Sequence, residues 1–187
     1  MAERRSPAAA FADRFEAASA SGVLELAEIP FLTHVNVRVD PAGQAAEEVG
    51  AALGVPLPTE PCTAAGSGEL TVAWLGPDEW LVIGPEGFRS ELLRKAVDGG
   101  QGSVVDVSAQ RTTLLVAGPK ARDLLSHGCT IDLHPSVFGP GACAQTTLAR
   151  TQVVLLARED GFLVLVRSSF AGYLADWLLD AATEYLR

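Results

Sequence analysis

Apolar residues alternate with small or polar ones most clearly in Glu69–Ile83, which reads E-L-T-V-A-W-L-G-P-D-E-W-L-V-I. Leu70, Val72 and Trp74 alternate with Thr71 and Ala73, and Trp80 and Val82 with Leu81 and Ile83. A period of two, rich in β-branched and aromatic residues, predicts two paired strands buried on at least one face. Gly76-Pro77-Asp78-Glu79 joins them. Pro77 presets φ at the second turn position, and Asp78 can bond its own backbone at the third. Two tryptophans commit much apolar area to this hairpin, so the core is expected to condense around it.

The remaining elements follow from the same patterns. Residues 1–21 place Phe11, Phe15 and Ala18 at helical spacing, but the stretch is short and poorly capped, so it reads as a flexible N-terminal arm. Val23–Ala27 and Thr33–Val39 read as strands, and Ala42–Leu53 as a helix stopped by Gly54. Pro56–Gly68, rich in Pro, Gly and small residues, reads as a loop. A second helix is expected over Glu86–Val97, ended by Gly99-Gly100-Gln101-Gly102. Val104–Val107 and Thr112–Ala117 are strands on either side of the polar turn Ser108–Arg111. Gly118-Pro119 opens a short helix, Lys120–Ser126. Thr130–Gly141 is an irregular loop.

Strands are then expected over Ala144–Leu148, Gln152–Ala157 and Phe162–Val166, with Asp160-Gly161 as the hairpin signal between the last two. The final helix, capped by Ser168 or Ser169, carries Phe170, Tyr173, Leu174, Trp177, Leu178, Ala181, Ala182 and Tyr185 on one face. From Thr33 the order is β-α-β-β-α-β, the ferredoxin-like unit, followed by β-α-β-β-β-α, a variant of it. The fold class is therefore α+β with mostly antiparallel sheet. Residues 22–187 are expected to form a single domain of two packed half-domains, about 22–102 and 103–187.

Composition narrows the function. The formal net charge of −9 over 187 residues disfavours nucleic-acid backbones and anionic membrane surfaces as partners. No apolar run approaches the roughly 20 residues that span a bilayer. Met1-Ala-Glu-Arg-Arg-Ser-Pro lacks the apolar segment of a secretory signal. The three cysteines, at 62, 129 and 143, form no C-x-x-C pair and read as reduced thiols. A cytoplasmic location is expected.

Candidate chemistry is sparse. His127, Cys129, Asp132 and His134 are zinc-compatible types, but spacings of two, three and two match no familiar zinc pattern. Polar loop residues around a packed Cys129 are the simpler expectation. Asp78 and Glu79 are adjacent, so on an extended chain they point to opposite faces and read as turn residues. Asp106 and Arg111 flank a turn and read as a stabilising ion pair. There is no G-x-S-x-G, G-x-G-x-x-G or Walker loop. No catalytic, cofactor-binding or metal-ligating residue is assigned.

Four blocks carry a resemblance: L-G-P-D-E-W-L (Leu75–Leu81), V-V-D-V-S-A-Q-R-T-T-L-L-V-A-G-P-K-A-R-D-L-L (Val104–Leu125), G-C-T-I-D-L-H-P (Gly128–Pro135) and R-S-S-F-A-G-Y-L (Arg167–Leu174). In this order, from Val23 to the C-terminus, the chain resembles the gamma subunit of heterotetrameric sarcosine oxidase. That resemblance implies a fold like the folate-binding domain of the aminomethyltransferases (the glycine-cleavage T protein group). It also implies a complex that demethylates sarcosine oxidatively to glycine. Hydrogen peroxide would be released, and the one-carbon unit would leave as formaldehyde or pass to tetrahydrofolate.

FAD, FMN and NAD are then expected on or between the alpha and beta subunits, and zinc on the delta subunit. This chain would carry no cofactor and would pack mainly against alpha, with no catalytic residue of its own. Pro56–Gly68 and Thr130–Gly141 are the loops expected to face a partner, with Leu133, Phe138 and Pro140 as an apolar anchor. The other reading is a stand-alone folate-binding or aminomethyl-transferring protein, for which Asp106 or Asp132 would have to hold the pterin.

Overall fold

The structure is a computed structural model that describes residues 4–19, 22–97 and 102–186. In chain order its first elements are α1 (Ala12–Ser19), β1 (Glu25–Ile29), β2 (Thr33–Val39), α2 (Gln44–Leu53), β3 (Ala64–Ser67), β4 (Leu70–Gly76), β5 (Glu79–Gly84) and α3 (Glu91–Ala96). They are followed by β6 (Gly102–Asp106), β7 (Arg111–Ala117), α4 (Ala121–Ser126), β8 (Cys143–Leu148), β9 (Thr151–Ala157), β10 (Gly161–Arg167) and α5 (Ala171–Ala182). Two compact units emerge. One comprises the described residues of Phe31–Ser108 with Gly141–Ala144; the other comprises those of Met1–Pro30, Ala109–Pro140 and Gln145–Arg187.

The first of these units is built on a five-stranded sheet of order β3-β4-β5-β2-β6. Four of its strands, β4-β5-β2-β6, form the ferredoxin-like arrangement that β-α-β-β-α-β generates, and β3 adds an edge beside β4. The Trp-bracketed hairpin pairs Trp74 with Trp80 and Val72 with Val82. Trp80, Leu81, Val82 and Ile83 are all buried, so β5 is covered on both faces. Val35, Val37, Val49, Leu93 and Trp80 share one core. The Trp80 indole donates to the carbonyl of Pro58 at 2.7 Å, which satisfies its one polar atom and ties the following segment to the core. Helix α2 ends at Gly54, whose φ of 70° is the left-handed C-cap that glycine adopts without strain.

The other unit carries the sheet β1-β7-β10-β9-β8. β7 pairs antiparallel with β1 through Leu26–Val116 and with β10 through Val164–Leu114. β1 thus holds beside β7 the edge place that β6 holds beside β2. The β9–β10 turn needs Gly161: its φ is 156°, and a Cβ there would lie 2.5 Å from both the Val116 oxygen and the Ala117 Cα. α5 buries Ala171, Leu174, Ala175, Leu178 and Ala182 and packs on β10, α4 and α1.

Several boundaries differ from the sequence reading. Residues 12–19 are helical, with Phe15 and Ala18 buried, and Arg14 pairs with Asp176 of α5 at 2.7 Å. Glu28 accepts bonds from Ser6, Ala8 and Thr112. The N-terminal stretch and β1 therefore pack in the unit of β7–β10, and the units do not divide at residue 102. β1 starts two residues later than expected, where Glu25 meets Ala117. Inside the expected loop, Ala64–Ser67 pairs with Leu70–Ala73 as β3. α3 begins only at Glu91, because the backbone from Pro85 turns at Gly87 (φ 79°).

Ser168 does not cap α5 either; its hydroxyl bonds the Ala109 carbonyl, and a 3-10 turn over Ser168–Phe170 leads into the helix. Phe170 and Tyr173 stay nearly half exposed. Of the expected glycine-rich connection after α3, residues 99–101 lie outside the described residues. No helix among the described residues is long and apolar enough to cross a membrane.

Candidate functional site

Asp106 ends β6, and the chain turns at once through Ser108. The Asp106 carboxylate accepts bonds from the Ser108 hydroxyl at 2.6 Å and the Ser108 N–H at 2.9 Å. These two bonds, the hydroxyl's first, hold the Asp106 carboxyl below its ordinary value, against a small opposing effect of burial. Ser108 in turn accepts from the backbone N–H of His34 at 3.0 Å. A serine, a histidine and an aspartate thus meet, but the histidine contributes its backbone. A nucleophilic triad needs the ring nitrogen on the hydroxyl. The cluster is a turn clamp, and Ser108 is the partner that stabilises Asp106.

The other candidates are likewise spent locally. Asp78 pairs with Arg38 at 2.9 Å on the surface, and Glu79 accepts from Asn36 at 2.7 Å. The His127 ring lies 2.8 Å from the Tyr185 hydroxyl, and Cys129 sits in a bridge opposite Leu148. Asp132 accepts the N–H of His134, whose ring bonds Ser136. Among the described residues no group of three His, Cys, Asp or Glu could hold a metal. Cys143 is buried with its thiol on the carbonyls of Thr63 (3.1 Å) and Trp74 (3.4 Å), and burial pushes its pKa up to about 11. Such a thiol is a poor nucleophile.

The apolar anchor expected in Thr130–Gly141 is corrected. Leu133 is 4% exposed and Phe138 5%, while Val137, at 63%, is the apolar residue that projects. The cause lies in Arg122 of α4. Its guanidinium donates to the carbonyls of Leu133 and Phe138 and lies over the Phe162 ring, against which Phe138 stacks. An arginine so placed draws the loop's apolar side chains inward and leaves Pro135, Val137 and Pro140 outside. No spacing rule flags Arg122, because its partners are brought to it by tertiary packing.

Concavities remain among the described residues, one of them, of about 530 Å³, beside the β9–β10 turn with Glu25, Arg122, Arg158 and Glu159 in its lining. A recess of about 260 Å³ lies at one end of the β7–β10 sheet, with Arg111 and Arg167 among its lining residues. A groove of about 440 Å³ runs along α2, lined by Ala46, Gly50, Val55, Leu57 and Trp80.

Comparison with known proteins adds the broader context. Residues 37–184 match the model of the "Sarcosine oxidase, gamma subunit family". The chain is 42% identical to a sarcosine oxidase subunit gamma of Arthrobacter sp over 186 residues, covering 97% of this chain and 91% of that protein. It is 40% identical to the corresponding subunit of Corynebacterium sp. (strain P-1), with the same coverage. Among solved structures it is similar to a chain of the heterotetrameric sarcosine oxidase from Corynebacterium sp. U-96 in complex with pyrrole 2-carboxylate. The TM-score is 0.92 at 36% identity, covering 98% of this chain and 97% of that one. Aminomethyltransferase T of the Bartonella henselae glycine cleavage system shares the fold at a TM-score of 0.66 and 17% identity, over 84% of this chain and 46% of that one.

Proposed function

Because the chain belongs to the sarcosine oxidase gamma subunit family, we propose that it is an accessory, non-catalytic subunit of a heterotetrameric, flavin-dependent sarcosine oxidase. The observation that carries this reading is the end-to-end match to a chain of a solved heterotetramer, at a TM-score of 0.92. The fate of the reactive side chains supports it. Asp106 is held by Ser108, Cys143 is buried against two carbonyls, and Arg122 anchors a loop. Each is committed to holding the fold.

In this reading the complex demethylates sarcosine to glycine, with hydrogen peroxide and either formaldehyde or 5,10-methylenetetrahydrofolate as the other products. FAD, FMN, NAD, tetrahydrofolate and zinc belong to the alpha, beta and delta subunits, and this chain contacts mainly alpha in the cytoplasm. The surface offered to alpha is the outer side of the Thr130–Gly141 loop, where Val137 stands exposed. An exposed apolar side chain that a partner covers stabilises the contact through the area it removes from water.

The test is purification of the tagged chain from its own cells. Larger chains, a flavin spectrum and sarcosine-dependent peroxide formation should accompany it, and the chain removed from the complex should turn over no sarcosine. A colourless small species from cells that degrade sarcosine would sink the reading.

A further inference from the structure

The β7–β10 register sets Arg111 directly opposite Arg167. Paired residues of antiparallel strands point to the same face, so two positive charges share it. Both line the recess, together with Gln152 of β9 and Gln145, Thr146 and Thr147 of β8. Val154 and Leu165, both buried, give it an apolar floor. Among the described residues no aspartate or glutamate lines it, in a chain whose formal charge is −9. A basic, acid-free hollow on an acidic protein is an electrostatic minimum for an anion.

We propose that this recess binds a small carboxylate-bearing molecule. The guanidinium fork of Arg167 matches the two oxygens of a carboxylate, and Arg111 adds a second positive charge on the same face. The Gln152 amide and the Thr147 hydroxyl can donate to a further oxygen. Val154 and Leu165 take a short apolar stem, which an inorganic anion lacks. The volume, about 260 Å³, lies below the roughly 300–1,000 Å³ typical of drug-sized ligands, so the ligand is of small-metabolite size. Binding needs only residues of this chain.

The experiment is isothermal titration of the full chain with succinate at constant ionic strength, repeated with inorganic phosphate. A single saturable succinate site is expected, with phosphate weaker. Arg167→Gln should weaken succinate at least about tenfold, the loss of a charge-assisted pair. Arg167→Lys should fall between the two, since the charge stays and the fork is lost. Arg167 and Arg89 are both exposed, so neither substitution disturbs the core, and Arg89→Gln, outside the recess, should bind like the parent. No saturable heat, equal weakening by Arg89→Gln, or an unchanged Arg167→Gln would each overturn the proposal. Phosphate binding more tightly than succinate would overturn the carboxylate assignment.

Discussion

The guanidinium carbon of Arg122 stands 4.9 Å from the centroid of the Phe162 ring, while the same group donates to the carbonyls of Leu133 and Phe138. One side chain thus joins α4, β10 and the Thr130–Gly141 loop. Arg122→Ala should cost about 2–4 kcal/mol, combining lost charge-assisted bonds with a lost cation–π contact. Arg122→Lys should recover only part, because an ammonium cannot present the planar fork. Urea unfolding of the three proteins checks this, and limited proteolysis should cut the loop first in the alanine variant.

Val137 and Phe138 are sequence neighbours with opposite roles. Phe138→Asp should unfold or strongly destabilise the chain, by about 3–5 kcal/mol or more, since it empties a packed aromatic site and buries a charge. Val137→Asp should leave the melting temperature unchanged and weaken co-purification with the larger subunits. A Val137→Asp chain that assembles normally would remove this loop from the interface.

Asp106 makes a small, pH-dependent contribution. Its folded carboxyl titrates below the ordinary value of 3.8 because of Ser108. The contribution is therefore full above that value and is lost as pH falls through the lower folded value. Asp106→Asn should be less stable than the parent at pH 7, by under about 1 kcal/mol since the group is exposed and screened. The gap should close toward pH 3. Denaturant curves at both pH values decide it.

The thiols should separate by burial. Cys62 is exposed and Cys143 buried with its pKa raised to about 11. Alkylation of the native chain at pH 8 should modify Cys62 readily and Cys143 only once denaturant is added, read by peptide mass spectrometry. Modification of native Cys143 would show that the strand carrying it opens readily.

Much of the fold was legible because the strongest patterns are local. The alternation through Trp74 and Trp80, the Gly54 stop and the apolar stripe of the last helix each needed only neighbours in sequence. β3 was not legible: Ala64-Ala65-Gly66-Ser67 has no alternation, and its strand character comes from pairing with Leu70–Ala73. The burial of Phe138 was not legible for a related reason. The loop's composition shows that it is apolar, but the direction in which Phe138 points is decided by Arg122 and Phe162. The recess was half visible, since Arg111 stood out beside Asp106 in the sequence, whereas only the β7–β10 register sets Arg167 against it. Ser108 was hidden as the partner of Asp106 because a two-residue turn is too short to leave a periodic trace.

The place of β1 has a consequence for synthesis. Among the described residues its sole strand partner is β7, through pairs running from Glu25–Ala117 to Ile29–Thr113. All of Phe31–Ser108, which supplies β2 to β6, is translated between the two. That stretch can collapse as it leaves the ribosome, while β1 waits with an unpaired edge, and closing so long a loop is slow. The newborn chain therefore spends its most exposed interval after its middle has folded and before Ala117 has emerged, and a chaperone or partner that shields Glu25–Ile29 in that interval would govern its yield.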